Sequence, residues 1–404
     1  MLLKLAWRNL WRNKRRTLIT AAAIFFSITL SILMTSMQQG TWARMIASVV
    51  EQYSGYAQIH KKGYWQEQTL ENSMPLLTVD SLAEVPENLE DMIPRIESFA
   101  LGSDDENAFG TQVMGVDPLR EDQLTGLSSK VSSGRYFRPG EAGILLSEGY
   151  ADIMELGVGD TIVLLGQGYQ GITAVGKYPI VGLLHFGNPE LNKRLSYLPL
   201  RQAQYLYGME GRVTSVVLKF KNNYQFQKTA DAIRQELDSN RFELLTWQEM
   251  NPQLVQAIQA DTGGMLIELF IIYLVIAFGI FSTVIMMTAE RKHEFGILLA
   301  IGMKRWRMQV MTLLETLFLA FLGIVTGVLF ALPVVLYFEG RPIALGGELA
   351  SYYAEFGFEP VVSFTSQPYV FVNNVLIVSV IVLLVYLYPF NKLRKIDSIR
   401  AMKG

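Results

Sequence analysis

Hydrophobic positions along the chain follow two regimes. Four stretches run for about twenty residues or more without a charge: Thr17 to about Gly40, Leu269–Ala289, Thr316–Phe338 and about Tyr369–Phe390. A hydrocarbon core ~30 Å thick needs about 20 apolar residues in a helix, so each stretch predicts a transmembrane helix. The long segment 41–264 behaves differently. Alternating or β-rich runs at Tyr56–His60, Thr111–Val116, Gly143–Leu146, Thr161–Leu165, Tyr178–Leu184 and Thr214–Phe220 predict strands. Turn signals such as Pro139-Gly140, Gly157-Val158-Gly159-Asp160 and Asn222-Asn223 separate them. Helical stretches intervene at Ser147–Glu155, Leu200–Tyr207 and Gln225–Asp238, and Thr41–Gln52 extends the first apolar helix. This pattern predicts an α+β domain of two lobes, with helices segregated from sheets. The fold class expected is membrane α, with four transmembrane helices and a large α+β extracytoplasmic domain between the first and second.

Composition and charge refine the picture. Half of the 404 residues are hydrophobic and 18% are charged, against about 25% in an ordinary soluble domain. The net charge of −2 offers no basic field for nucleic acid. With no cysteine there is no disulfide, no thiol chemistry and no lipid-bearing Cys. Basic residues mark the cytoplasmic side. They crowd before the first span (Lys4, Arg8, Arg12, Lys14, Arg15, Arg16), between the second and third (Arg291, Lys292, Lys304, Arg305, Arg307) and after the fourth (Lys392, Arg394, Lys395, Arg400, Lys403). The loop 339–368 carries Arg341 against several glutamates. Both termini and the 290–310 loop are therefore expected in the cytoplasm, with 41–264 and 339–368 outside. The first apolar run is either a signal peptide or an uncleaved anchor. Its length and the lack of a small-x-small cleavage site favour the anchor. Leu3, Trp7, Leu10 and Trp11 share one helical face beside Lys4, Arg8, Arg12 and Arg15, which predicts an amphipathic helix in the headgroup layer or a plain basic flank. The domains expected are 1–40 (elbow helix and first span), 41–264 (extracytoplasmic domain) and 265–404 (the remaining spans, their loops and a basic tail).

Candidate chemistry is sparse. His60, His185 and His293 are far apart in sequence, and Asp104-Asp105-Glu106 reads as a solvated loop, so no catalytic or metal constellation is expected. A G-x-x-x-x-G-K-[ST] phosphate loop is missing from the sequence; Gly296 and Gly302 have the wrong spacing, and Met303 follows where Lys is needed. If the protein moves a cargo actively, a separate subunit must hydrolyse ATP, and the chain itself is expected to carry no cofactor. Gly323 and Gly327 have the small-xxx-small spacing of close helix contacts, or fall there by chance. Glu315 near the start of the third span is a functional candidate, although snorkelling or pairing with a nearby base is the stronger reading.

Several segments resemble FtsX/MacB-type (type VII) ABC transporter permeases. They are the start Leu3–Thr17, Gly115-Val116-Asp117-Pro118, Gly134-Arg135-Tyr136-Phe137 with Gly143–Ala151, Leu156–Asp160, the tail Pro389–Met402 and, most specifically, Glu290–Gly302. Within that family Tyr197–Leu206 and Val213–Phe220 are most similar to the LolC/LolE lipoprotein-releasing branch. The MacB-type efflux branch fuses its ATPase before the first span, FtsX has a smaller outer domain, and antibiotic-sensing permeases have more spans. The resemblance implies a homo- or heterodimer of permeases in a bacterial inner membrane, on two ATPase subunits that bind ATP and Mg. It implies ATPase coupling through Glu290, Glu294, Gly296, Ile297, Ala300, Ile301, Gly302, Lys304 and Arg305. It also implies an acyl-chain cavity near Leu33, Met34, Met37, Ile267, Phe270 and Ile271, with Met265 beside them, although any lipid-facing helix shows the same residues. The cargo implied is a lipoprotein, passed to a periplasmic acceptor. Export of a small amphiphile or peptide with an adaptor, or regulation of a cell-wall hydrolase, are the alternatives.

Overall fold

A computed structural model describes residues 2–12, 14–104, 107–355 and 358–394. Asn13, Asp105, Glu106 and the tail beyond Arg394, with Lys395, Arg400 and Lys403, lie outside the described residues. The chain divides into two compact units. The first comprises 1–42, 258–344 and 362–404, and the second 43–257 and 345–361.

The first unit is helical. Helix α1 (Leu2–Arg12) precedes α2 (Lys14–Val49), and α3 (Pro252–Glu290), α4 (Lys292–Ala300), α5 (Arg305–Gly340) and α6 (Pro368–Arg394) follow. Helices α2, α3, α5 and α6 are long and apolar enough to cross a membrane. They outrun the charge-free windows read from sequence; α3 extends to 39 residues because the polar segment from Pro252 continues the same helix, with proline at the first helical position, where its missing N–H costs nothing. Buried side chains recur every fourth residue on each helix. Ile24, Ile28 and Ile32 on α2 meet Ile276, Ile280 and Val284 on α3, Ala331 and Val335 on α5, and Val378 and Val382 on α6. This i, i+4 spacing builds one ridge per helix. The remaining apolar surface, such as Phe278, Leu329 and Leu384, stays exposed, as lipid-facing helices require. Gly40, Ser36 and Thr41 seat an extended segment on α2. A Cβ on Gly40 would fall 2.4 Å from the Phe364 carbonyl carbon. The Ser36 hydroxyl donates to the Thr365 carbonyl at 2.7 Å, and the Ser363 N–H donates to Thr41 Oγ1 at 3.2 Å. These bonds satisfy backbone groups that no helix serves.

The second unit is built on one ten-stranded sheet. Its strands are β1 (Ala57–Lys61), β2 (Leu89–Ser103), β3 (Ala108–Val116), β4 (Val131–Gly134), β5 (Ile144–Ser147), β6 (Thr161–Gln167), β7 (Thr173–Leu184), β8 (Leu195–Pro199), β9 (Ser215–Phe220) and β10 (Phe242–Thr246). The order is β10-β1-β9-β2-β3-β8-β5-β7-β4, with β6 pairing both β2 and β7. Most pairs are antiparallel, but β3–β8 and β5–β7 are parallel. Strand β2 carries the sheet across the unit. Its first half pairs with β9, from Leu89 opposite Phe220 to Arg95 opposite Ser215, and its second half pairs with β3, from Arg95 opposite Val116 to Ser103 opposite Ala108. Where the sequence suggests two lobes, the structure has one continuous sheet bearing at least three hydrophobic clusters among the described residues. One groups Ile59, Met92, Val216 and Leu244 under the helix Phe226–Glu236. Another groups Ile96, Val113, Ile162 and Ile180 with the helices Glu148–Met154 and Leu200–Tyr207. A third lies around Met114, Leu145, Leu184 and Tyr197.

Asp117 caps the helix Pro118–Thr125 by accepting from the Leu119 and Arg120 N–H groups. That helix delivers Glu121 to Arg95. Their side chains are 1% exposed and joined by two bonds of 2.9 and 2.6 Å. The third arm of Arg95 donates to the Tyr53 carbonyl at 2.5 Å. Tyr53 lies in the π-helical turn Val50–Ser54, directly after α2. A buried cation thus satisfies a carbonyl at a helix C-terminus, where positive charge is favoured.

Candidate coupling site

The segment between α3 and α5 turns on α4. Phe295 is fully buried beside Met308, Met311 and Leu393, and Leu298, Leu299 and Met303 line the same cluster. The opposite face points out. Ile297 is 41% and Ile301 79% exposed, Ala300 is exposed between them, and Lys292, Lys304 and Arg305 flank them. Gly302 closes the helix at φ +99°, a conformation that any side chain would strain. Gly296 is buried against the unit, Glu290 lies exposed at the end of α3, and Glu294 is half-buried. The structure therefore splits the sequence-nominated residues. Ile297, Ala300, Ile301, Lys304 and Arg305 form an outward face, while Gly296 and Glu294 anchor it.

An ionic chain fixes α4. The Glu294 carboxylate accepts from Arg12 at 2.5 Å and from Arg291 at 3.0 Å. Arg291 also donates to Glu315 at 2.6 Å, and Asn9 donates to the other oxygen of Glu315 at 2.7 Å. Helices α1, α4 and α5 and the residue between α3 and α4 are thereby linked. Burial alone would lift the Glu294 pKa, but bonds from Arg291 and Arg12 hold it below the usual carboxylate range. Burial opposes the Arg291 charge, and Glu315 and Glu294 more than offset this, raising its pKa. Glu315 is 2% exposed and Arg291 11%, so neither charge is served by bulk water. Sequence reasoning offers pairing for Glu315, but its partners Asn9 and Arg291 come from other elements and carry no local signal.

Other nominated residues fall on α1, α2, α3 and α5. On α1, Leu10 and Ala6 are buried, while Leu3, Trp7 and Trp11 are exposed. The Trp7 ring meets Phe318 edge-on at 5.6 Å. On α5, a Cβ on Gly323 would lie 2.6 Å from Ile24 Cβ, and one on Gly327 would lie 1.9 Å from Ile28 Cγ2. Both glycines therefore permit close contact between α5 and α2. Leu33 packs against the four-helix cluster and Met34 is half-buried. Met37, Ile267, Phe270 and Ile271 are 39–65% exposed. Gln38 and Trp42 on α2 both donate to the Asp261 carboxylate on α3, at 2.6 and 2.7 Å.

Two family models match. The MacB-like periplasmic core domain covers residues 17–236, and the FtsX-like permease C-terminal region covers 266–398. Among curated proteins, the chain is 24% identical over 244 residues to the lipoprotein-releasing system transmembrane protein LolC of Neisseria meningitidis, covering 58% of each chain. It is 23% identical over 265 residues to the corresponding LolE protein of Haemophilus influenzae, covering 61% of this chain and 62% of that one. The chain thus spans about 58–62% of the length of these relatives. Among solved structures, the periplasmic region of MacB from Actinobacillus actinomycetemcomitans aligns with 53% of this chain and 95% of its own, at TM-score 0.36 and 12% identity.

Proposed function

This chain belongs to the FtsX-like permeases that carry a MacB-like periplasmic core domain, and from that membership we propose that it couples ATP hydrolysis by a partner ATPase to release of lipoproteins from the bacterial inner membrane. The observation that carries this reading is the face of Ile297, Ala300 and Ile301, which is apolar, exposed and flanked by cations. An unpaired apolar patch on a short, anchored helix suits docking to a protein partner. Its ion pairs give a path by which movement of a docked partner reaches α1 and α5. Two ATPase subunits, binding ATP and Mg, would sit beneath a permease dimer, with the basic termini and the 290–310 loop in the cytoplasm. The residues Met37, Ile267, Phe270 and Ile271 would line a deformable wall for acyl chains. Similarity to the lipoprotein-releasing proteins LolC and LolE supports this choice of cargo.

Reconstitution tests the reading. The chain, a second permease copy or partner permease and the candidate ATPase subunit are placed in liposomes containing a triacylated lipoprotein and a soluble acceptor. ATP-dependent appearance of lipoprotein in the soluble fraction is expected, with at least tenfold loss for Ile301→Asp. ATP-dependent efflux of a small amphiphile without lipoprotein release would transfer the assignment to an exporter. ATP-independent behaviour would overturn it.

A further inference from the structure

The α/β unit buries a polar sheet face that the proposed transport function does not use. On β1, β2 and β9 the residues Gln58, His60, Arg95 and Ser215 are each 2% exposed or less, on strands whose other face carries the apolar cluster. Burying such groups is costly unless they are hydrogen-bonded, so this face calls for a reason. Beside it lies a cavity of ~150 Å³ walled by Tyr53, Tyr64, Trp65, Glu97, Gln58 and Gln112.

The hydrogen bonds around the cavity have a direction. Arg95 is committed to Glu121 and to the Tyr53 carbonyl. Lys130, the other cation beside that pair, donates to the Thr125 carbonyl. Gln112 donates to the Tyr53 hydroxyl, Gln58 Nε2 to the Ser54 carbonyl, and the Tyr64 hydroxyl to the Glu97 carbonyl. The Glu97 carboxylate is left with a neutral partner, the Ser215 hydroxyl at 3.0 Å. Gln58 Oε1 is buried with no partner among the described residues. Two acceptors beside the cavity therefore lack a cationic hydrogen-bond partner among the described residues: the Glu97 carboxylate and the buried Gln58 amide oxygen. Around them stand three aromatic side chains, whose ring faces attract cations.

We propose that this cavity binds a small organic ammonium ion, with Glu97 as its counter-charge, Gln58 Oε1 as an acceptor and Tyr53, Tyr64 and Trp65 as its aromatic wall. Size agrees: a liquid water takes about 30 Å³, so the space suits an ion of a few heavy atoms and excludes a lipid or a peptide. A multi-carboxylate or His/Cys metal site is disfavoured, since no group of three or more His, Cys, Asp or Glu that could hold a metal occurs among the described residues. The inference is independent of the transported cargo and of the ATPase partner.

Saturation-transfer NMR tests it on the full chain in lipid nanodiscs, with methylammonium and tetramethylammonium chloride as probes and sodium chloride at equal ionic strength as reference. Saturable binding of at least one probe is expected. Glu97→Gln, which keeps the side-chain shape, should weaken it at least tenfold, and Gln58→Leu several-fold. The exposed Asp152→Asn should leave it unchanged. Trp65→Leu removes part of the wall and keeps the charge, so it should weaken tetramethylammonium more than methylammonium. No saturable binding of either ion, or equal binding by the parent protein and Glu97→Gln, would overturn the proposal. A thermal midpoint measured on each variant separates loss of the site from loss of the fold. If Glu97→Gln does not fold, Gln58→Leu and Trp65→Leu decide the matter.

Discussion

The pair Arg291–Glu315 is the joint through which the α4 face connects to α5, and its energy can be worked from burial. The two side chains are 11% and 2% exposed, at 2.6 Å. Breaking a buried pair by removing one partner costs about 3–5 kcal/mol, because a charge is left uncompensated. Arg291 keeps Glu294 at 3.0 Å, so Glu315→Gln should fall at the lower end, near 3 kcal/mol. Removing both charges in Arg291→Met/Glu315→Gln should cost little more than either alone. The double-mutant cycle should then return an interaction energy of about 2–3 kcal/mol. Arg12–Glu294 supplies an internal control. At 2.5 Å it is no longer, but its side chains are 52% and 41% exposed, and water screening limits such pairs to roughly 0–1 kcal/mol. Unfolding in mixed micelles measures both cycles. An Arg291–Glu315 coupling below about 0.5 kcal/mol, equal to that of Arg12–Glu294, would refute the argument that burial makes this joint strong.

Further predictions bear on other parts of the chain. Gly327→Ala places a methyl 1.9 Å from Ile28 Cγ2, against a carbon contact optimum of about 3.5–4.0 Å; it should destabilise by about 1–3 kcal/mol in the same assay. Gly279→Ala, with nothing within 4 Å, should be neutral or stabilising by up to about 1 kcal/mol. Arg95→Met should cost about 3–5 kcal/mol by stranding Glu121, read as a drop in the thermal midpoint of the α/β unit. His60 is held neutral by burial, its pKa lowered from 6.5 to about 4. Between these values the unfolded chain binds the proton and the folded one does not, so stability is full above pH 6.5 and is lost as pH falls. The loss reaches about 2 kcal/mol at pH 5. His60→Phe should remove that part of the pH dependence in melts compared at pH 7 and pH 5.

Legibility in the sequence followed locality. The membrane helices were readable because a run of charge-free residues is a local signal, yet their ends were not, since polar residues continue a helix beyond the hydrocarbon. Strands β1, β3, β5, β6, β7 and β9 were readable from alternation or apolar runs. Strand β2, which organises the sheet, was not. Pro94 argues against a central strand, and Glu90, Asp91, Arg95 and Glu97 interrupt the apolar pattern. The structure places Pro94 opposite Val216 in the ladder and puts Arg95 and Glu97 on a face that is buried but polar. The segment 290–302 was legible as a motif with an outward apolar edge. The ionic chain beneath it was not, because Asn9, Arg12 and Glu315 reach it only through tertiary contact.

The most direct test of the account is site-specific photo-crosslinking in native membranes, with the reactive side chain at Ile301 and, as control, at Tyr224, which is 93% exposed on the α/β unit. The account predicts an adduct between position 301 and an ATP-hydrolysing subunit, identified by mass spectrometry, and none with that subunit from position 224. Recovery of an intact complex in which position 301 captures no such subunit, or in which position 224 captures it instead, would contradict the assignment of α4 as the coupling element.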